Sequence, residues 1–223
     1  WMSKGLRQWK NTLKPSQIAD GMNAANKNAI RLLEDAESLF ALDRFPSALS
    51  LAILSIEESG KVSILRELAL AKNGDQVKEA WKAYRSHTKK NVMWIFPSLV
   101  ADGAKKLEDF KDVFNNESEH PQLLDNLKQI GFYTDCLGKA HWSIPAEVID
   151  KENATQMITI AKTQCKEGNF TVREIELWIK HLKPVWQGSM DVMKTALNNW
   201  FEDMKKEQLI TEHELSFKAF IGE

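Results

Sequence analysis

The sequence predicts an all-α fold from three observations. Apolar residues recur at helical spacing along most of the 223-residue chain, and the alternation typical of strands is nearly absent. From Phe45 to Ile56 nearly every residue is apolar or small, and serines are the only polar interruptions. A helix that is apolar all round lies in the middle of a bundle. The chain is therefore predicted to be a helical bundle built around this central helix.

Composition narrows the class of protein. A hydrophobic content of 43% is enough for a sizeable core, and a net charge of −1 argues against coating nucleic acid through a global positive field. A local basic site for RNA chemistry stays open. The two cysteines form neither a disulfide framework nor a metal-ligand cluster. No signal peptide is visible, and the longest apolar run is too short to span a bilayer, so we expect a cytoplasmic protein without a membrane partner.

The N-terminal half reads as three helices. Pro15-Ser16 opens a first helix that is predicted to end near Leu42. Pro46 suits the first turn of the second helix, which includes the central apolar segment and continues to about Leu68. After a turn at 72–75, a third helix is predicted with one continuous stripe, formed by Val77, Ala80, Trp81, Tyr84, His87 and Asn91.

The C-terminal half contains shorter segments. Helical segments are predicted at 105–114 and 121–130, and the irregular region 131–149 reads as an ordered loop anchored by aromatic residues. Asp150 is a suitable cap for a helix to about Lys166, with Gly168 just beyond its end. Thr171 and Glu174 form a capping box that opens a long helix, which Pro184 should kink or interrupt before it continues toward Lys206.

A first candidate site is the charged end of the central helix. Lys61 lies four residues after Glu57 and three after Glu58, so it can pair with either carboxylate. An ordinary solvated pair would contribute only about 0.2–0.5 kcal/mol. Because these charges directly continue an apolar helix, one of them is expected near the bundle interior, where charged groups need partners and are enriched at functional sites.

A second candidate lies on the predicted third helix. His87 would share a face with Tyr84 and Asn91, and Arg85 and Lys90 lie beside it in sequence. Histidine exchanges protons near neutral pH, and arginine offers a fixed positive fork to an anion. The pattern fits phosphodiester cleavage with His87 as general acid or base, but it also fits a hydrogen-bonded histidine beside a solvated lysine-rich turn.

Other kinds of site are disfavoured. Arg173 and His181 lie eight residues apart on the capping-box helix, where surface residues often share a face without any function. The chain has no glycine-rich phosphate loop, no metal-ligand spacing of histidines or cysteines and no nucleophile elbow. We therefore expect no metal and no cofactor.

Three elements, in order, resemble the AbiV-type abortive infection proteins. The run FPSALSLAILSIEESGK at 45–61 resembles their A-L-x-L-A-I-L-x-x-E-E-x-G-K helix, and RSHTKK at 85–90 is similar to their basic H-x-x-K element. GFYTD at 131–135, followed by WSIP at 142–145, resembles their G-x-Y-x-D…W-x-x-P loop. The resemblance spans roughly residues 25–165, and the C-terminal helices match no motif of the family.

The resemblance implies a HEPN-like helical bundle with additional C-terminal helices. We expect one all-α domain over 1–223, with a HEPN-like core at about 16–167 and peripheral helices at about 171–223. Many HEPN proteins are dimeric, metal-independent endoribonucleases in phage defence. Their usual R-x(4–6)-H pattern is missing, because Arg85 and His87 are too close together and Arg173 and His181 are one residue too far apart.

Two functions follow from this reading. The first is a homodimeric abortive-infection protein that cleaves or binds RNA, so enzyme activity stays open. His87 would move the proton, Arg85 and Lys90 would hold the phosphate, and Glu58 with Lys61 would position this site from the central helix. The other supporting residues would be Glu57, Tyr84 and Asn91, and the residues predicted to be catalytic are His87 and Arg85. The second is a non-catalytic helical module that binds a phage or host protein. A bundle cleft that binds a nucleotide is a third and weaker option.

Overall fold

The computed structural model describes residues 7–114, 118–165 and 168–210. In the first half its α-helices are α1 (Pro15–Ala41), α2 (Phe45–Leu70), α3 (Gly74–Arg85), α4 (His87–Lys90) and α5 (Phe96–Ala101). In the second half they are α6 (His120–Phe132), α7 (Pro145–Val148), α8 (Lys151–Gln164), α9 (Val172–Leu182) and α10 (Met190–Lys206). Short 3-10 helices cover Val92–Ile95, Leu107–Phe114 and Lys183–Val185. The predicted all-α class is confirmed.

Helix α2 is the centre of the bundle, as its sequence predicts. It packs against α1, α3, α4, α6, α8 and α9. Its most deeply buried apolar side chains, each at most 1% exposed, are Ala48, Leu49, Ala52, Ile53, Ile56 and Leu70. Two of its buried serines donate to backbone carbonyls, Ser50 to that of Pro46 at 3.0 Å and Ser55 to that of Ala29 at 2.7 Å. Each large apolar side chain buried here stabilises the fold by roughly 1.5–3 kcal/mol.

The third helix is shorter than predicted. Helix α3 ends at Arg85, and Ser86 has an extended backbone (φ −83°, ψ 129°) before α4 begins at His87. The Ser86 hydroxyl accepts a hydrogen bond from the backbone N–H of Lys89, so it caps α4. The prediction that Tyr84, His87 and Asn91 share one helical face is therefore wrong. The helical spacing of these residues in the sequence continues across Ser86, although the backbone leaves the helix there.

The region between α6 and α8 is more regular than predicted. It contains an antiparallel pair of strands, β1 (Asp135–Leu137) and β2 (His141–Ser143), with Asp135 opposite Ser143. The expected aromatic anchor is also wrong, because Trp142 is 62% exposed on this hairpin. Ile149, only 4% exposed, attaches the segment to the core instead.

The C-terminal helices begin and end where the capping signals predict. Asp150 caps α8, and Thr171 and Glu174 form the predicted capping box of α9. The chain leaves helix α9 at Leu182, just before Pro184, and resumes as α10. Lys166 and residues 211–223 lie outside the described residues. Helix α9 packs on both α1 and α2, whereas α10 packs mainly on α9, and the division into domains stays a prediction.

Two glycines of the bundle are sites of close approach between helices. A Cβ atom at Gly60 would lie 1.9 Å from the carbonyl oxygen of Lys90, and one at Gly131 would lie 2.3 Å from the hydroxyl of Ser50. Because Gly60 has no side chain, α4 can lie directly on α2. Gly131 allows the same between α6 and α2. The contact at Gly60 brings α4 to the charged part of the central helix, and the contact at Gly131 brings α6 against its apolar first half.

We expect Gly60→Ala to lower the free energy of unfolding by about 3 kcal/mol, because the clashing atom belongs to the backbone. Gly74→Ala is the matched control, since its Cβ would have nothing within 4 Å. That variant should stay within about 1 kcal/mol of the parent protein. Urea unfolding followed by circular dichroism measures both, and equal losses for the two variants would contradict the close approach.

Candidate functional site

Glu57 is a buried carboxylate surrounded by cations. It lies one position after Ile56 on the central helix and is 2% exposed. Its Oε1 atom is 2.5 Å from Nζ of Lys128, and its Oε2 atom is 2.6 Å from Nδ1 of His87 and 3.2 Å from Nζ of Lys90. A charge buried this deeply requires such partners. The expectation that one charge of this helix lies inside the bundle is confirmed.

His87 joins the buried carboxylate to the surface. It is the first residue of α4, and its side chain remains 57% exposed although Nδ1 contacts Glu57. An ionised carboxylate only accepts hydrogen bonds, so Nδ1 carries the hydrogen in this contact. In the neutral ring Nε2 is then the atom with the lone pair. An imidazole fixed through one nitrogen with the other free to exchange a proton is suited to general acid or base chemistry.

Lys128 and Asp125 belong to the same cluster, and sequence reasoning missed both. Lys128, on α6, is 4% exposed and donates to Asp125 at 2.7 Å as well as to Glu57. Burial alone lowers the pKa of Lys128, but hydrogen bonds to Asp125 and Glu57 outweigh it, so the pKa is raised overall. The available signal was position, since Lys128 shares the buried stripe of α6 with Leu124 and Gly131.

The cluster also has the donor set of a metal site. Glu57, His87 and Asp125 offer ligand atoms that all lie within 4.8 Å of one another. However, the ammonium of Lys128 lies within 2.7 Å of both carboxylates and meets their charge directly. A divalent cation there would be repelled by Lys128 and Lys90. The arrangement therefore favours proton chemistry over metal binding.

Glu58 and Lys61 form a separate pair. Their charged atoms are 2.5 Å apart, both side chains are 18% exposed, and the Lys61 ammonium lies 5.2 Å from the ring centre of Tyr84. The cluster around His87 is thus built on Glu57, whereas the described contacts of Glu58 and Lys61 join them to each other and to Tyr84. The expectation that Glu58 and Lys61 position His87 is therefore wrong. The side chains of consecutive helix residues point about 100° apart, so Glu57 and Glu58 contact different parts of the protein.

The remaining predicted residues have different surroundings. Lys90 is 8% exposed with Nζ directed at Glu57, so the expectation that it holds a phosphate does not fit its position. Arg85 is exposed at the end of α3, and its side chain makes no hydrogen bond or ion pair within the described parts of the chain. Asn91 is fully buried, and neither atom of its amide has a partner among the described residues.

Arg173 and His181 do not converge on one site. Arg173 binds the carboxylate of Glu207 with two nitrogens, each at 2.7 Å, while His181 contacts Asp203 at 2.8 Å. Asp203 also accepts from Lys180 at 2.7 Å. Hydrogen bonds from Lys180 and His181 hold the pKa of Asp203 well below its ordinary value. These residues attach α10 to α9. Arg173 and His181 therefore have the structural role that the sequence favoured over a shared binding site.

A cavity of about 970 Å³ lies between α2, α3, α4 and the start of α6. Carboxylates of Glu67, Asp75 and Glu79 line it together with Lys89 and Lys90. Packing against this wall raises the pKa of the Glu67 carboxyl, and the charge of Lys89 partly offsets that increase. Part of the Glu67 side chain remains exposed to solvent. Three carboxylates disfavour a phosphate-bearing ligand, so the geometry does not favour nucleotide binding here.

Comparison with known protein families identifies the family of this chain. The HEPN_AbiV family model, described as AbiV, matches residues 17–166, which include most of α1, all of α2 to α8 and the whole cluster around Glu57. The chain belongs to the AbiV family. Membership of this family indicates an abortive-infection, or defence, protein. No curated protein and no solved structure gives a significant match to the chain. None of the helices in the described ranges is long and apolar enough to cross a membrane.

In this AbiV protein, Glu57→Gln is expected to lower the free energy of unfolding by about 3–5 kcal/mol, because it leaves buried Lys90 without its carboxylate and Lys128 with Asp125 alone. Glu58→Gln, which removes the neighbouring and more exposed charge, should cost about 1 kcal/mol or less. Urea unfolding of the two variants at neutral pH compares them directly. Similar losses would mean that Glu57 is not the charge on which the cluster depends.

Asp203→Asn gives a pH-dependent test of the contact between α9 and α10. The folded-state pKa of Asp203 is depressed below the unfolded value of about 3.9, so its stabilisation is present above that pH and is lost on acidification. The parent protein should therefore have a higher Tm than the variant at pH 7, and the difference should shrink as the pH falls below about 4. A difference independent of pH would argue against this ion pair.

Proposed function

We propose that this AbiV protein is a metal-independent endoribonuclease of abortive infection in which His87 transfers the proton. The observation that carries the proposal is the contact of His87 Nδ1 with the buried Glu57 carboxylate, while more than half of the side chain is exposed. A buried carboxylate that orients a histidine fixes its tautomer and stabilises the imidazolium form during proton transfer. Arg85 and Lys89, both exposed, supply positive charge beside it.

The proposed reaction begins with the 2′-hydroxyl of a ribose. His87 Nε2 accepts the hydroxyl proton while the oxygen attacks the adjacent phosphorus, and the bond to the 5′ oxygen of the next nucleotide breaks. That oxygen takes up a proton from water, and His87 afterwards releases its own to the solvent, so the products are a 2′,3′-cyclic phosphate and a 5′-hydroxyl. Arg85 is the residue we assign to the developing phosphoryl charge, because it is exposed and next but one to His87 in sequence.

His87→Ala should reduce RNA cleavage by about 100-fold or more in EDTA, since general acid–base catalysis typically contributes 10²–10⁴-fold. Arg85→Ala should reduce it as well. His181→Ala is the matched control, because this histidine contacts Asp203 between α9 and α10 and should leave the rate unchanged. The assay follows labelled RNA on denaturing gels and identifies the cyclic phosphate end. Equal cleavage by parent protein and His87→Ala, or none by either, would contradict the catalytic assignment.

A second function, that of a non-catalytic interaction module, is favoured by one feature. The break at Ser86 puts Arg85 and His87 on different helical segments, whereas the usual HEPN nucleases carry both residues on one helix. Phage protection by the Arg85→Ala, His87→Ala double variant separates the two. Survival of protection would support the module that binds a phage or host protein, and its loss would support the nuclease.

We infer that the protein acts as a dimer and that the hairpin segment is the surface on which two copies meet. Large apolar residues are exposed along one continuous stretch, namely Phe132, Tyr133, Leu137, Trp142, Ile144 and Val148. Tyr133 and Trp142, each 62% exposed, together present on the order of 250 Å² of aromatic surface. Such patches mark interaction sites.

Charge favours a second copy as the occupant. Asp135 begins β1 and Lys139 lies in the turn at the other end of that strand, both exposed. In a two-fold contact between antiparallel hairpins, Asp135 of each copy faces the Lys139 end of the other. A surface that carries both signs at opposite ends is thus complementary to itself.

Trp142→Asp should weaken self-association by about 30-fold or more, as expected for loss of an aromatic anchor. Val192→Asp is the control, because Val192 is 47% exposed on α10, away from the hairpin. Analytical ultracentrifugation across a concentration series measures both. A monomeric parent protein would instead leave the patch to a phage or host partner, and an unchanged dimer in Trp142→Asp would place the interface elsewhere.

A further inference from the structure

The polar groups behind His87 form a closed charge balance. Two carboxylates, Glu57 and Asp125, face two ammonium groups, Lys90 and Lys128, so these four groups together carry no net charge. The groups come from three helices, since Glu57 lies on α2, Lys90 and His87 on α4, and Asp125 and Lys128 on α6. A second proton on His87 would bring this cluster to a net charge of +1.

Lys128 is the group best placed to oppose that second proton. Its Nζ atom lies 3.3 Å from His87 Nδ1. At this distance the positive charges of an ammonium and an imidazolium would repel each other. Because Nδ1 already donates to Glu57, Lys128 cannot use it as an acceptor, and it directs its hydrogens at Glu57 and Asp125. Asp125 has the opposite influence, since its carboxylate oxygen lies within 4.8 Å of the ring nitrogen.

We propose that Lys128 and Asp125 are positioning residues that set, through Glu57, the protonation state in which His87 rests. Lys128 holds one oxygen of Glu57 so that the other meets His87, and its charge keeps the ring neutral and able to accept a proton at Nε2. Asp125 limits that effect by neutralising part of the Lys128 charge. This inference deepens the proposed nuclease function, on which its catalytic meaning rests, but the protonation itself can be measured without RNA.

The test follows the NMR titration of His87 in protein labelled with ¹⁵N and ¹³C at histidine, with its signals assigned by their loss in His87→Ala. Lys128→Met removes a positive charge and should move the titration to higher pH by roughly one unit. Asp125→Asn removes a negative charge and should move it to lower pH. Lys128→Arg keeps the charge and should restore a curve close to that of the parent protein. The titration of His141, on the hairpin, should not change in any variant.

Opposite shifts in the two charge-removing variants support the inference, because a loss of stability alone would not move the curve in two directions. If Lys128→Met does not fold, the direction of the shift in Asp125→Asn decides. No shift, or a shift to higher pH, in Asp125→Asn would overturn the inference. RNA cleavage is measured separately in the parent protein, so shifts without cleavage would reject the nuclease and leave the charge balance standing, whereas cleavage without shifts would do the reverse.

Discussion

The need to neutralise one buried carboxylate governs the arrangement of this bundle. Glu57 lies at the point where the central helix passes from wholly apolar to mixed composition, and it is 2% exposed. Leaving such a charge unpaired would cost several kcal/mol, so the segments that carry its cations must pack where they do. Helices α4 and α6 are both held against α2 by this requirement. The same requirement brings a histidine to the boundary between the interior and the solvent.

Packing and electrostatics act together here. The glycines at 60 and 131 remove side chains where α4 and α6 cross the central helix, and this closeness allows short lysine and histidine contacts with Glu57. A bulkier residue at either position would separate the helices, and the ion pairs would lengthen with them. The family's E-E-x-G-K run can be understood in these terms, since the carboxylate and the glycine three residues later lie on neighbouring parts of one helix turn.

Much of the fold could be predicted from sequence because its signals are local. Proline and capping residues mark most helix ends, and the apolar run of α2 identifies the core. The end of α3 at Arg85 could not be predicted, because the helical spacing of residues continues across Ser86. The structure shows that Ser86 is extended and that its hydroxyl caps α4 at the N–H of Lys89. Trp142 misled it in another way, since an aromatic residue in a loop can anchor the loop or remain exposed.

The site was only partly accessible to the same reasoning. Glu57 and His87 stood out because each is chemically conspicuous in its own segment. Their direct contact, across 30 residues, depends on how α4 packs on α2. Lys128 lies 71 residues from Glu57, and nothing local distinguishes it from a surface lysine except its place on the buried stripe of α6. Tertiary packing, which no local pattern encodes, makes these three residues neighbours.

The position of Lys128 on that stripe has a consequence for the uniqueness of the fold. Apolar side chains alone tolerate sliding of one helix along another, because leucine packs acceptably against many neighbours. A shift of α6 by one turn would bring Leu124 or Phe132 opposite Glu57 and leave the carboxylate without its ammonium. Misaligned packings of α6 are therefore penalised much more strongly than in an all-apolar interface. The buried ion pair thus selects the register of α6 as well as orienting a side chain at the surface.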